Sequence, residues 1–398
     1  MKVVVLLSRV PYPLDKGDKL RAYHQVKALS QHHEVILCCL NDSKLHPEAA
    51  AELSSFCTEF HSIQLSKLQI LTSLFKGIFS DLPFQVHYFY QKQAQKKFDN
   101  IIDRHLPGHL FVQLVRTAKY ASKYSFLPST FDYMDAFSTG VERRIRHTLP
   151  GLKTIFTTEA RRLKSYEAQV FKYFRNKLII SEQDKQLIQH PDNHEITVIP
   201  NGVDLDFFSP QPQREAEYDL VFVGNMSYPP NVKAAIYLAK EIIPKIHKHN
   251  PEVTLHICGV NPTSRVKSLA TDKIIIRGRV DDIRDAYAEA HIFIAPMQIG
   301  TGLQNKLLEA MAMGIPCITS SMANEALGAE PEREILLGIS PTDYAQKVIS
   351  LLKNPKTAAE IALNGHRFIL KNFSWRRQNQ KLLNIIGSDQ NNEYSTSN

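Results

Sequence analysis

The stretch DLVFVGNMSYPPNV, Asp219 to Val232, decides the fold. Leu220-Val221-Phe222-Val223 is a short apolar run with no alternation, as a strand buried on both faces requires, and it ends in the turn pair Gly224-Asn225. A helical pattern follows over Asn231–His249, then a strand over Val253–Cys258 ending in Gly259. The series continues with a strand at Lys273–Ile276, a helix at Asp282–Ala290, a strand at Ile292–Ala295, a helix at Leu303–Met313 and a strand at Pro316–Thr319. Buried strands alternating with helices through tight loops predict a parallel, doubly wound sheet. The start of the chain repeats the theme, with a strand at Val3–Leu7, a loop at Ser8–Lys19, a helix at Leu20–Gln31 and a strand at Glu34–Leu40. Further strands are expected at Leu110–Val115 and Lys177–Ser181. Two such domains are expected, 1–200 and 201–387, joined at the Ile199-Pro200-Asn201-Gly202 turn, with a ligand cleft at the carboxyl ends of the strands. Ser209–Glu217 reads as a polar linker, and 388–398 as a disordered tail.

Of the 398 residues 43% are apolar and 22% charged, an ordinary globular composition that excludes collagen-like, coiled-coil and disordered chains. Five scattered cysteines without a C-x-x-C pair suggest neither disulfides nor a zinc site. Only five apolar residues follow Met1-Lys2, and no run approaches membrane-span length, so a cytoplasmic location is expected. The net charge of +8 is unevenly placed: residues 1–200 hold 27 Lys/Arg against 19 Asp/Glu, and residues 201–398 hold 21 of each. The first half therefore suits an anionic partner, or carries a merely solvated basic surface. A nucleic-acid partner is not expected, because no recognition module is present.

The densest chemical signal is Gly300-Thr301-Gly302-Leu303-Gln304-Asn305-Lys306-Leu307-Leu308-Glu309. Its glycines allow close backbone approach to a ligand, and the start of the next helix favours a phosphate. Lys306 and Glu309 lie three apart on one helical face: a cation for phosphates and a carboxylate for ribose hydroxyls, or an ordinary solvated pair. The loop from Gly224 to Asn231 occupies the position where doubly wound domains receive phosphate or sugar, or is a proline-stiffened connector.

Several motifs together carry a resemblance: PYPLDKGDKLRAYH (Pro11 to His24), FDYMDAFS (Phe131 to Ser138), YEAQVF (Tyr166 to Phe171), IPNGVDLDFF (Ile199 to Phe208), FVGNMSYPPNV (Phe222 to Val232), GRVDDIRDAYAEA (Gly278 to Ala290), NKLLEAMAMG (Asn305 to Gly314) and FSW (Phe373 to Trp375). Over nearly its whole length the chain resembles retaining glycosyltransferases of family 4, and more narrowly the sugar transferases associated with bacterial exopolysaccharide and exosortase systems. The resemblance implies an α/β GT-B fold: two doubly wound Rossmann-like domains facing across a cleft, the last helix crossing back to the first domain. It implies a nucleotide-diphosphate sugar as donor and a glycan or lipid-linked acceptor. It assigns Glu309 to the donor ribose and Lys306 to the diphosphate, with Gly224, Asn225, Met226, Arg279, Gly300, Thr301, Gly302 and Asn305 lining the donor site. Arg277 to Val280 would present backbone to the base, and Gly17 and Lys19 would form a loop facing phosphate and acceptor. The family's first glutamate falls at Thr301, which points to a shifted sugar preference. Asp132, Asp135 and His147 are the candidates for catalysis in the first domain, Asp132 being preferred.

Asp204-Leu205-Asp206 matches a metal-binding D-x-D but lies in the junction turn, so it reads as structural, and neither a metal nor another cofactor is expected. The aromatic-rich Ile70–Tyr90, the nearby Lys92, Lys96 and Lys97, and the basic Val141–Lys177 suggest docking on the anionic inner face of a membrane, unless the aromatics are core. The alternatives are a non-catalytic subunit of a polysaccharide assembly complex and a hydrolysing sugar-nucleotide 2-epimerase.

Overall fold

A computed structural model describes residues 1–145, 150–211, 216–299 and 302–395. The chain forms two compact units, Met1–Pro200 with Gln378–Asn398, and Asn201–Arg377.

The first unit holds seven parallel strands: β1 (Lys2–Leu7), β2 (Glu34–Asn41), β3 (Glu59–Gln64), β4 (His109–Gln113), β5 (Ser129–Asp132), β6 (Asn176–Ile179) and β7 (Thr197–Val198), in the order β3-β2-β1-β4-β5-β6-β7. The second holds β8 (Tyr218–Val223), β9 (Leu255–Cys258), β10 (Ile274–Gly278), β11 (Ala290–Ala295), β12 (Cys317–Thr319) and β13 (Leu336–Leu337), parallel in the order β10-β9-β8-β11-β12-β13. Strand order reverses between β1 and β4 and between β8 and β11, which leaves a crevice at the carboxyl ends of each pair.

The apolar runs follow from two-sided burial. In β1, Val4 and Leu6 enter one core, while Val3, Val5 and Leu7 enter the core on the other face. Cys38 and Cys39 divide in the same way, and all five cysteines are buried and unpaired. Leu382 and Ile386 of the last helix, Trp375–Ser395, complete the second of these cores. This helix corrects the expected tail from residue 388. With two residues anchored in a core, a polar continuation lacking proline adds backbone bonds cheaply through Ser395. Residues 396–398 lie outside the described residues.

Other boundaries moved for local reasons. The first helix spans Gly17–Ser30 rather than Leu20–Gln31, because Lys16 takes the extended capping conformation and Asp18 suits the positive first turn. Gly17 and Lys19 are therefore helical, not loop. The expected helix 231–249 is helical over Pro229–His247, with a π turn at Leu238–Ile242. That turn precedes Pro244, which cannot donate a helical bond and needs extra room behind it. The polar stretch from Ser209 lies inside the second unit, and residues 212–215 fall outside the described ones.

Candidate active site

At the β8/β11 switch point, β8 ends at Val223, and the chain turns through Gly224 and Asn225 into the helix Pro229–Tyr237. Asn225 Oδ1 accepts from Ser227 N and Oγ at 3.0 and 2.8 Å, closing that turn. Asn231 is buried and its Nδ2 donates to Asn225 O at 3.0 Å. An added Cβ at Gly224 would lie 2.6 Å from this Nδ2, so the glycine is what lets Asn231 approach. Met226 is a correction. Its side chain belongs to the core and its N–H donates to Val260 O, so neither is available to a donor.

From β11 the chain passes Met297 and Gly302 into the helix Asn305–Ala312. Gly302 takes φ +103, which glycine tolerates. Gly300 and Thr301 lie outside the described residues. Gln304 at the helix start makes no side-chain cap, whereas Ser320 and Ser340 cap later helices of this unit. Leu307 N donates to Gln304 O at 2.9 Å, so among the described residues it is the N–H groups of Asn305 and Lys306 that have no acceptor. Asn305 Oδ1 accepts from Asn201 Nδ2 at 3.2 Å, tying the helix start to the Asn201-Gly202 turn. That turn in turn packs on the FSW stretch through Val203 N to Phe373 O at 2.7 Å.

Lys306 is half-buried, and its ammonium meets neutral groups: it donates to Asn231 Oδ1, lies 3.9 Å from Met297 Sδ and sits over the Phe222 ring. Burial lowers its pKa to about 8, partly opposed by the charge of Glu309. Glu309 accepts from the buried Tyr287 hydroxyl at 2.7 Å, and burial raises its pKa despite that bond. The arrangement offers an anion one cation with neutral hydrogen-bond partners plus a helix N-terminus, with a carboxylate one turn further along. Arg279 stands exposed just beyond β10, two strands from β8, and no described contact joins it to Lys306 or Glu309. Arg277, read from sequence as presenting backbone, pairs its side chain with Glu289 at 2.7 Å. Asp204 Oδ1 accepts from Asp206 N and Phe207 N, so it closes its own turn.

In the first unit, Asp132 is also a correction. It is fully buried, and its oxygens accept from Arg21 Nε at 2.7 Å, Arg21 Nη2 at 3.2 Å, Gln25 Nε2 at 2.8 Å and Met134 N at 3.0 Å. With no oxygen open, Asp132 holds the Gly17–Ser30 helix to the sheet and touches no substrate. Asp135 differs: the residue is half-buried, its buried Oδ1 has no hydrogen-bond partner among the described residues, and burial with the nearby Asp184 charge raises it to about 7. His147 lies outside the described residues. Gly17 opens its helix, where an added Cβ would make only ordinary contact with Met134, and Lys19 pairs with Asp15 at 2.8 Å. Near the same sheet edge, Arg9 pairs with Asp18 at 2.9 Å, and Arg116 lies over Phe89 and Phe137 with burial lowering it to about 10. Among the described residues, Glu59 with His61 and His105, and Asp192 with His194 and Glu195, place metal-capable atoms within 4.8 Å of one another. Both groups lie in the first unit.

Sequence reasoning took in Asn231 only as the end of the Gly224 loop, and it did not single out Met297 and Tyr287, which contact Lys306 and Glu309, or the buried Arg116 and its neighbour Arg9. Asn231 carried a signal, since a polar residue directly after Pro229-Pro230 stands at a helix start. The others are given their roles only by packing.

Residues 217–354, from the start of the second sheet past Glu309, match the family described as glycosyl transferases group 1. A protein of Klebsiella pneumoniae described as an uncharacterized 44.6 kDa protein in the cps region is 24% identical over 400 residues, spanning 94% of this chain and 97% of its own. A GDP-mannose-dependent monoacylated alpha-(1-6)-phosphatidylinositol monomannoside mannosyltransferase of Corynebacterium glutamicum is 24% identical over 212 residues, 48% of this chain and 56% of its own. The solved structure of Anabaena Alr3699/HepE in complex with UDP superposes with TM-score 0.70 at 13% identity, covering 98% of this chain and 100% of that one. The second unit carries a glycosyl transferase group 1 domain, and the chain is a glycosyltransferase with two Rossmann-like parallel-sheet domains of the GT-B kind.

Proposed function

We propose that this enzyme is a retaining transferase of family 4 that moves a sugar from a nucleoside-diphosphate sugar to a glycan or lipid-linked acceptor during surface or exopolysaccharide synthesis. The observation that carries the reading is Lys306. Its charge is half-buried against an amide oxygen, a thioether and a ring, so its desolvation is not offset by an ion pair until an anion arrives. A diphosphate supplies that anion, bridging Lys306 and the uncapped helix start at Asn305. As the glycosidic bond breaks, negative charge grows on the departing diphosphate, and these same groups stabilise it, so no metal is required. Glu309, held by Tyr287, accepts the ribose hydroxyls.

On the acceptor side we assign Asp135, whose Oδ1 is buried without a hydrogen-bond partner among the described residues and whose raised pKa suits a group that takes the acceptor's hydroxyl proton. The cps-region relative supports a polysaccharide role. The basic first half supports docking on an anionic leaflet on the cytoplasmic side. Among the described residues no helix is long and apolar enough to cross a membrane.

A thermal-shift panel of nucleoside diphosphates and their sugars tests the reading. One nucleoside diphosphate should raise the melting temperature of wild type and leave Lys306→Ala unshifted; no response to any member would refute it. Release of free 2-epimerised sugar from a sugar nucleotide without acceptor would favour the epimerase reading instead.

A further inference from the structure

The helix Lys67–Gly77 turns two apolar faces in different directions. Ile70 and Gly77 are buried, with Leu74 packed against the core beside them. Leu68, Leu71 and Phe75 recur at helical spacing on another face and are 71%, 66% and 66% exposed, and Phe79, 82% exposed in the turn after the helix with Ile78 beside it, sets its ring edge-on to Phe75 at 6.1 Å. This stripe spans about 100° of arc, with Lys67 at one margin and Lys76 at the other. A second element lies against its C-terminal end. In the helix Pro150–Val170, Glu159 accepts from Phe84 N and Gln85 N, and Arg162 donates to Gly77 O at 2.7 Å and Ile78 O at 3.3 Å. The exposed Leu152 and Ile155 lie seven residues before each of these, on the same helical face, with the exposed Lys153 between them. Asp81 is the exposed acid in this hairpin.

We propose that the Leu68–Leu71–Phe75–Phe79 stripe inserts into the headgroup and upper acyl region of an anionic leaflet, with Leu152 and Ile155 alongside and Lys67, Lys76 and Lys153 at the phosphates. Exposed aliphatic and aromatic side chains bordered by lysines fit a lipid interface, where apolar burial and charge attraction add. The proposal rests on the membrane reading above and adds to it: charge alone gives adsorption, whereas this stripe gives insertion.

Flotation with phosphatidylglycerol-rich vesicles tests it on the full chain. Wild type should float, and Leu71→Ser with Phe75→Ser and Phe79→Ser should lower the partition coefficient by about a hundred-fold at low salt. These side chains are exposed, so the variant should keep its melting temperature and its nucleoside-diphosphate response; the latter separates failure here from failure of the transferase reading. Wild type has a single, buried tryptophan, Trp375, so Phe79→Trp adds a reporter whose emission should shift to the blue on anionic vesicles. Unchanged flotation of the triple variant would overturn the proposal, as would no blue shift. A wild-type dimer that the triple variant abolishes, with no flotation, would assign the stripe to a second copy of the chain and overturn it equally.

Discussion

The hydroxyl of Tyr287 donates to Glu309 Oε2 at 2.7 Å, from a phenol that is wholly buried between β8, β11 and the helix carrying the glutamate. One carboxylate oxygen is thereby fixed, and the proposed role in binding ribose falls to the other. Tyr287→Phe should weaken nucleoside-diphosphate binding by about 0.5–1.5 kcal/mol, and Glu309→Ala by about 1–3 kcal/mol. Calorimetry on folded variants checks both, and unchanged affinity in Glu309→Ala would remove it from the donor site.

Lys306 makes donor binding sensitive to pH. Its ammonium form attracts the diphosphate, and burial has lowered its pKa to about 8. Affinity should be full well below pH 8 and decline as pH rises through that value, with a higher midpoint in the complex because the bound anion favours the charged form. Folding runs the other way. The folded state prefers neutral lysine, so this group's contribution to stability rises between pH 8 and its unfolded value of 10.5. Lys306→Ala should abolish the affinity profile and cut turnover by orders of magnitude.

On the roles proposed for Lys306 and the helix start at Asn305, EDTA should leave turnover unchanged. Asp204, the first acid of the D-x-D, is already engaged by two backbone N–H groups. Inhibition by EDTA that magnesium or manganese restores would overturn this assignment.

Two nearby aspartates should behave oppositely. Asp132→Ala strands the buried Arg21 guanidinium and should cost about 3–5 kcal/mol of stability. Asp135 is raised to about 7, so the folded state holds its proton longer than the unfolded state does. Stability should therefore fall as pH rises from about 4 to 7. Asp135→Asn removes this penalty: it should melt higher than wild type at pH 8, converge with it near pH 4, and lose turnover. Full turnover in Asp135→Asn would exclude it as the acceptor's base.

Much of this protein was determined by local sequence. Val3–Leu7 and Leu220–Val223 are uninterrupted apolar runs because strands in a parallel sheet are buried on both faces, and that pattern needs no partner to be read. The Lys306–Glu309 spacing likewise places both on one side of any helix. Short strands such as Thr197–Val198 and Leu336–Leu337 could not be read, since two residues carry no periodicity and exist as strands only by pairing with β6 and β12. Tertiary structure alone decided which charged residues are engaged as struts and which keep an unpaired polar atom. Asp132 and Asp135 are three apart in one motif, yet Arg21, 111 residues from Asp132, pairs with one and leaves a buried oxygen of the other without a hydrogen bond among the described residues. Asn231 and Lys306, 75 residues apart, meet because parallel strands deliver all their carboxyl ends to one edge, where side chains distant in sequence share one desolvated crevice.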